Sequence, residues 1–255
     1  MKSPISYRHK IPFYYDKSKV EFQKDIYERY HEMVLKHNAL HLADKLWGQY
    51  PMQSILDFGR EYIKSIKPKN ILEVGCGVGR WIADLASSHP QSVCWGIDYS
   101  YQMLKQANDF WIKGKDLHID LSHKGFSKPI HTTGSSLANL NFGLAKVSEL
   151  PFDDHSQDIV CSSFLIDRLE DPVKGVMEMV RVLKSEGILI IVTPLNFENA
   201  KHWNEFYPPN KLRQFLIHLG LECLEWKKEM HIEEPLDARG NCVMWKCLGV
   251  VANKK

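Results

Sequence analysis

The sequence predicts an α/β protein built on an open, mostly parallel sheet, and three observations carry that prediction. Short apolar runs alternate with amphipathic segments from Ile71 to Ile191, the pattern of strands joined by crossover helices. The first run, Ile71-Leu72-Glu73-Val74, delivers the chain into Gly75-Cys76-Gly77-Val78-Gly79, a turn with glycine at every second position. The second run, Val93-Cys94-Trp95-Gly96-Ile97, ends in Asp98, about twenty residues past the glycines.

Glycine lacks a Cβ, so such a turn bends sharply and lets a ligand lie against the backbone. The helix that follows presents free N–H groups and a partial positive charge to the same ligand. A carboxylate at that spacing accepts the hydroxyls of a ribose in a Rossmann-like sheet. Together these features point to an adenosine-bearing ligand. A dinucleotide turn, G-x-G-x-x-G, needs glycine where this chain has Arg80, which counts against a nicotinamide dehydrogenase.

The other elements follow in order. Val20, Tyr27, Tyr30, Val34, Ala39, Leu42 and Leu46 recur in three- and four-residue steps and predict a helix over 17–47. A second helix is expected from Gln53 to Ser65, with Pro51 near its first turn, before the breaker Lys67-Pro68-Lys69-Asn70. Strands are expected near 70–75, 93–98, 141–146, 157–163 and 187–193, with helices near 79–88, 100–112 and 171–184. Residues 113–140, rich in Gly, Ser, His and Lys, have no period and read as an inserted loop, either a mobile surface loop or a lid over a substrate. A helix from Pro209 to Leu219, closed by Gly220, precedes strand-like runs at 221–226 and 242–251 that predict a closing hairpin.

The 255 residues carry 33 basic and 31 acidic side chains, a formal charge of +2 that argues against a nucleic-acid groove as the main surface. No apolar run reaches the ~18–20 residues of a membrane helix, and the first ten residues lack a signal-type stretch, so a cytoplasmic location is expected. The six cysteines sit mostly in apolar runs without metal-type spacing; they read as small buried hydrophobes, and no metal is expected.

Three later segments complete a recurring set. Gly96-Ile97-Asp98-Tyr99-Ser100 is followed by Met103 and Leu104; Leu150-Pro151-Phe152-Asp153-Asp154 leads into Asp158-Ile159-Val160; and Arg181-Val182-Leu183-Lys184-Ser185-Glu186-Gly187 precedes the fifth strand. With the Glu-x-Gly-x-Gly-x-Gly turn, this series over roughly residues 68–195 resembles the class I S-adenosylmethionine (SAM) dependent methyltransferases, in the small-molecule branch that includes the quinone-biosynthesis C-methyltransferases. The resemblance implies a Rossmann-like sheet of seven strands, mostly parallel, with a C-terminal antiparallel hairpin and helices on both faces. It also implies a helical N-terminal cap over 1–67, a methyltransferase domain over 68–255, and SAM as cofactor.

The resemblance assigns roles by position. Gly75, Gly77 and Gly79 cradle the methionine part of SAM. Glu73 supports its amino group or, on the alternative reading, caps the neighbouring helix. Asp98 holds the ribose. Tyr99, Met103 and Val147 pack on the adenine, although core packing explains Tyr99 and Met103 equally. Ser162, with Ser163, faces the methionine end. The acid that the family often places against adenine falls on Lys146, which has no acceptor; Ser148 or Glu149 substitutes, or the backbone alone holds the base.

Methyl transfer needs an aligned nucleophile and a dry site, and a base only when the nucleophile carries a proton. Asp167, His202 and Tyr15 are the candidate catalytic residues, with Tyr14, Asn196 and Trp203 nearby in the expected loops. Asp167 meets a cationic acceptor, or it pairs with Arg168 at the opening of a helix. His155 reads as a solvated turn residue. A small-molecule acceptor, no nucleic-acid or membrane partner, and a monomer or homodimer are expected. A protein or RNA methyltransferase, and a non-catalytic SAM-binding module, are the alternatives.

Overall fold

The computed structural model describes residues 1–64 and 66–255, with the backbone only for Lys45. The chain opens with a hairpin rather than a purely helical extension. β1 (Ser6–Arg8) and β2 (Ile11–Phe13) pair antiparallel around His9 and Lys10, whose φ values of 50° and 69° are those of a tight hairpin turn. Ile11, Pro12 and Phe13 are all buried, but three residues are too few to show a period.

The single helix expected over 17–47 is three: α1 (Lys19–Lys24), α2 (Ile26–Arg29) and α3 (His31–Leu42), followed by a 3-10 turn over Asp44–Trp47. Side-chain caps make the breaks. Ser18 and Glu21 form a capping box at the start of α1. Asp25 ends α1 and starts α2, accepting the N–H groups of Tyr27 at 2.9 Å and Glu28 at 3.3 Å. The helix expected from Gln53 is also divided, into α4 (Gln53–Asp57) and α5 (Arg60–Lys64), and its last residue, Ser65, lies outside the described residues. Gly59 separates the two with φ +78°, and a Cβ there would stand 2.8 Å from Ile190 Cδ1, so the backbone approaches the sheet too closely for a side chain.

Next come β3 (Asn70–Val74), α6 (Arg80–Ser88), β4 (Val93–Asp98) and α7 (Tyr101–Ala107), which runs on through a π turn to Ile112. The 113–140 stretch is not irregular throughout. It holds a hairpin, β5 (Leu117–Ile119) with β6 (Ile130–Thr132), and Ile119 and Leu121 pack on Ala39 and Ala43 of the α3 end. Its few apolar residues, scattered among His and Lys, carry no period that would announce it. β7 (Leu140–Leu144), β8 (Gln157–Ser163), α8 (Pro172–Val182), β9 (Leu183–Thr193), α9 (Ala200–Phe206), α10 (Asn210–His218), β10 (Leu221–Pro235) and β11 (Cys242–Lys254) complete the chain.

The strand order is β1-β2-β7-β4-β3-β8-β9-β11-β10. Seven of these strands, from β7 to β10, hold the expected arrangement, parallel up to β9 and closed by an antiparallel hairpin. The N-terminal hairpin extends the sheet to nine through a parallel pairing of Phe13 with Leu144. Alternate residues go to opposite faces. Ile71, Ile159 and Ile190 pack with Ile55, Leu56 and Ile82, whereas Leu72, Val160 and Leu189 pack with Val176 and Met179 of α8 and Leu212 and Leu216 of α10. Each such side chain contributes about 2 kcal/mol by leaving water. At the end of α8, Arg181 bonds Glu178, Asp154 and the carbonyls of Leu150 and Phe152, fastening the turn that feeds β8.

Candidate active site

The strand order reverses at β3, between β4 and β8, and the glycine turn leaves the carboxyl end of that strand. In open α/β sheets a crevice forms at that point. The N–H groups of Gly75 and Cys76 donate to the Ile97 carbonyl at 2.8 and 3.0 Å, which ties the turn to β4. Asp98, at the end of β4, accepts from the Gly77 N–H and the Ser100 N–H, each at 2.8 Å. Burial nevertheless raises its carboxyl above the usual range, against the pull of those two donors.

Gly75, Gly77 and Gly79 all have positive φ, at +75°, +53° and +78°, yet they do different work. A Cβ on Gly75 would meet Leu165 at 2.7 Å and one on Gly79 would meet Phe142 at 2.6 Å, whereas one on Gly77 meets nothing within 4 Å. Gly77 is therefore the open floor of the turn. Gly79→Ala is expected to cost about 2–4 kcal/mol of stability from overpacking and left-handed strain. Gly77→Ala should cost only about 1 kcal/mol, because its methyl meets no atom of the protein. It should still weaken a ligand lying on the turn, and thermal melts with and without S-adenosylhomocysteine separate the two effects.

Glu73 is buried, and its Oε2 accepts the Ile82 N–H at 2.9 Å, in the first turn of α6 where Gly79 offers no capping side chain. The helix-capping reading of Glu73 thus describes its contact here, and burial raises its carboxyl well above the ordinary range. Ser162 is buried near the end of β8 with a hydroxyl that has no hydrogen-bond partner among the described residues.

On the other side of Asp98 the N-terminal segment closes down. The Lys17 ammonium lies 3.9 Å above the Tyr99 ring, and the Tyr15 ring stands 6.0 Å from it. Tyr15 donates to Glu21 at 2.8 Å, Glu21 pairs with Lys146, and the Lys146 ammonium sits 4.4 Å over the Tyr15 ring. Lys146, where the sequence resemblance leads one to expect an acid, is thus matched by a carboxylate from α1. Met103 is buried with Val34, Leu42, Val78 and Phe110, and Val147 is buried beside α8.

Two expected catalytic residues, Asp167 and His202, are engaged by contacts within the protein. The Asp167 side chain has no exposure; it accepts from the Thr193 hydroxyl at 3.1 Å and pairs with Arg168 at 3.5 Å. It ties the turn after β8 to the end of β9, and burial raises its carboxyl. His202 is buried 6.0 Å from the Phe197 ring, within an aromatic group that includes Trp203 and Phe206, and its contacts are there rather than at the glycine turn.

The structure also brings Tyr27, expected on the helix face over 17–47, together with three residues that the sequence did not single out, His37, His41 and Tyr50. Tyr27, His37, His41 and Tyr50 form a row of rings: Tyr27 is edge-on to His37 at 5.1 Å, His37 stacks on His41 at 5.5 Å, and His41 Nδ1 bonds the Tyr50 hydroxyl at 2.7 Å. Arg80 lies 4.2 Å over the Tyr50 ring and donates to the His41 carbonyl at 3.1 Å. The i, i+4 spacing of His37 and His41 was the available signal, because it sets both rings on one face of α3. Among the described residues there is no helix long and apolar enough to cross a membrane and no group of three metal-binding side chains.

An open parallel sheet with a glycine turn and a strand-end carboxylate at its reversal point defines a domain for an adenosine-bearing cofactor. Residues 72–191 match a protein family described as a methyltransferase domain. The chain is 32% identical over 123 residues to the ubiquinone/menaquinone biosynthesis C-methyltransferase UbiE of Citrifermentans bemidjiense, covering 48% of this chain and 44% of that one. It is 28% identical over 143 residues to an uncharacterised chloroplastic methyltransferase of Arabidopsis thaliana, covering 56% and 36%. The chain thus spans less than half the length of these relatives. The crystal structure of the YcgJ protein from Bacillus subtilis aligns over 80% of this chain and 99% of that one, with a TM-score of 0.52 at 18% identity, which shows the shared fold.

Residues 72–191 thus carry a methyltransferase domain, and the similarity to these methyltransferases lies within about half of the chain. SAM is the cofactor that such a domain implies, and the residues present fit it: Gly77 leaves room at the turn, Asp98 offers a carboxylate for the ribose, and the buried Ser162 hydroxyl has no hydrogen-bond partner among the described residues.

Proposed function

We propose that the protein transfers a methyl group from SAM to a small-molecule acceptor. The observation that carries the reading is the open Gly77 turn bonded to Asp98 at the reversal point of the sheet. SAM supplies a methyl group already activated by a sulfonium, so the protein's task is to hold, orient and keep dry. In this reading Gly75, Gly77, Gly79, Glu73 and Ser162 receive the methionine part, Asp98 the ribose, and Tyr99, Met103 and Val147 the adenine. Residues 1–67 act as a cap on the methyltransferase domain of 68–255, with Tyr15 and Lys17 against Tyr99. The 113–140 insertion braces α3 from outside. The even charge balance supports a small acceptor over a polyanion, a cytoplasmic monomer or homodimer being the simplest form.

Titration calorimetry with SAM and S-adenosylhomocysteine, and NADH as control, tests the reading. Micromolar binding of both sulfur ligands is expected, with none of NADH. Binding of NADH alone would overturn it.

A further inference from the structure

The N-terminal hairpin does more than widen the sheet. Phe13, at the end of β2, stands in register with Leu144 at the end of β7, and Leu144 with Asp98 at the end of β4. The three strands run parallel, so the chain leaves β2 on the crevice side of the sheet. It does so two strand spacings, about 10 Å, from Asp98. It rejoins the body of the protein at Val34, which packs with Val78 of the glycine turn. Between these two anchors, from Tyr14 to Met33, no apolar residue is buried.

This strap is fastened to the sheet by polar contacts at the adenosine side. The Tyr14 N–H donates to the Leu144 carbonyl at 2.8 Å, and Glu21 pairs with Lys146 just past β7. Lys17 covers Tyr99 at 3.9 Å and Glu28 accepts the Tyr101 N–H at 2.6 Å, so the loop that follows Asp98 is held at two points. Inside the strap, Lys17 pairs with Asp25 and Glu28, which joins α1 to α2 as one body. The neighbouring wall is different in kind: Val34 and Leu42 meet Val78, Met103 and Phe110 through buried hydrocarbon. Parting that wall exposes apolar surface, whereas lifting the strap exchanges a few polar contacts for water.

We propose that the strap is the gate by which the cofactor enters and leaves, swinging on Phe13 and Val34 with the Glu21–Lys146 pair as its latch. Closed, it lies across the ends of β4 and β7 and covers the loop after Asp98. Open, it uncovers that loop while the sheet and the glycine turn stay in place. Because the ligand passes only when the strap is up, the latch controls association and dissociation together and leaves affinity nearly unchanged. The inference rests on the methyltransferase reading above.

Surface plasmon resonance on the full chain, with S-adenosylhomocysteine as the probe, reads the two rate constants. Lys146→Met removes the latch from the sheet side and leaves the helix caps of the strap intact. It should raise both rate constants at least about threefold, the loss expected of a partly exposed ion pair, with Kd within about twofold. The converse variant locks the gate. Glu21→Cys with Lys146→Cys, in a Cys242→Ser background and joined by bismaleimidoethane, should slow both rate constants at least about tenfold relative to the same protein unlinked. Equal rate constants in the linked and unlinked proteins overturn the gate. Faster dissociation alone in Lys146→Met also overturns it, since that marks a lost ligand contact rather than an opened path. Failure of wild type to bind S-adenosylhomocysteine overturns the methyltransferase reading itself, and this inference with it.

Discussion

Asp98→Ala is expected to weaken binding of S-adenosylhomocysteine by at least about 100-fold while leaving the fold in place. The carboxylate accepts two N–H donors in the free protein and has further lone pairs for two ribose hydroxyls. Hydrogen bonds to a charged group contribute about 1.5–3 kcal/mol each, so losing two removes about 3–6 kcal/mol of affinity. The stability side has the opposite tendency. Burial raises the folded-state carboxyl above its unfolded value, so its contribution is present below the unfolded value and is lost as pH rises through the folded one. Removing the group relieves that cost at neutral pH and offsets the two lost backbone bonds, so the melting temperature should change little.

The same shift gives a pH dependence. Only the ionised carboxylate accepts from both hydroxyls, so affinity should fall with acidification, beginning above the usual aspartate range. Calorimetry across roughly pH 5 to 8 reads this directly. A pH-independent affinity, or one that survives Asp98→Ala, would remove the ribose role.

Lys17→Met is expected to release the N-terminal segment. The Lys17 ammonium stands 2.6 Å from Asp25 and 3.3 Å from Glu28, and the three side chains are only 7%, 7% and 2% exposed. Glu28 also accepts the Tyr101 N–H at 2.6 Å, which fastens α2 to the start of α7. Without the ammonium two carboxylates remain buried together, a loss of about 3–5 kcal/mol for one partner of a buried pair. Local opening is the cheaper response, since α1 and α2 bury no residue fully. Amide exchange over 15–29 should speed up by two or more decades while β3, β4 and β8 keep their protection. Unchanged exchange there would show that the ion cluster does not hold the segment.

β3, β4, β8 and the glycine turn could be read from the amino-acid order because their signals are local. A buried strand needs consecutive apolar residues, and a left-handed turn needs glycine at particular positions. Asp98 belongs to the same category, since its place follows from the length of one strand–helix–strand unit. The closing hairpin was visible for the same reason, although β10 runs well past the six residues that show a strand-like pattern.

Other features are agreements between residues far apart in the chain. Glu21 meets Lys146, Phe13 pairs with Leu144, and Lys17 covers Tyr99, yet none of these partners disturbs the pattern around the other. For Asp167 the sequence left open a cationic acceptor or a pair with Arg168, and only the packing of the turn after β8 on β9 decides that its carboxylate is buried, against Arg168 and the Thr193 hydroxyl. The row from Tyr27 to Tyr50 likewise exists only once α3 lies across the glycine turn and its two histidines leave water. Backbone periodicity records which face of an element is buried. Which distant side chain is met there depends on how the elements dock, and that information is spread over the whole chain.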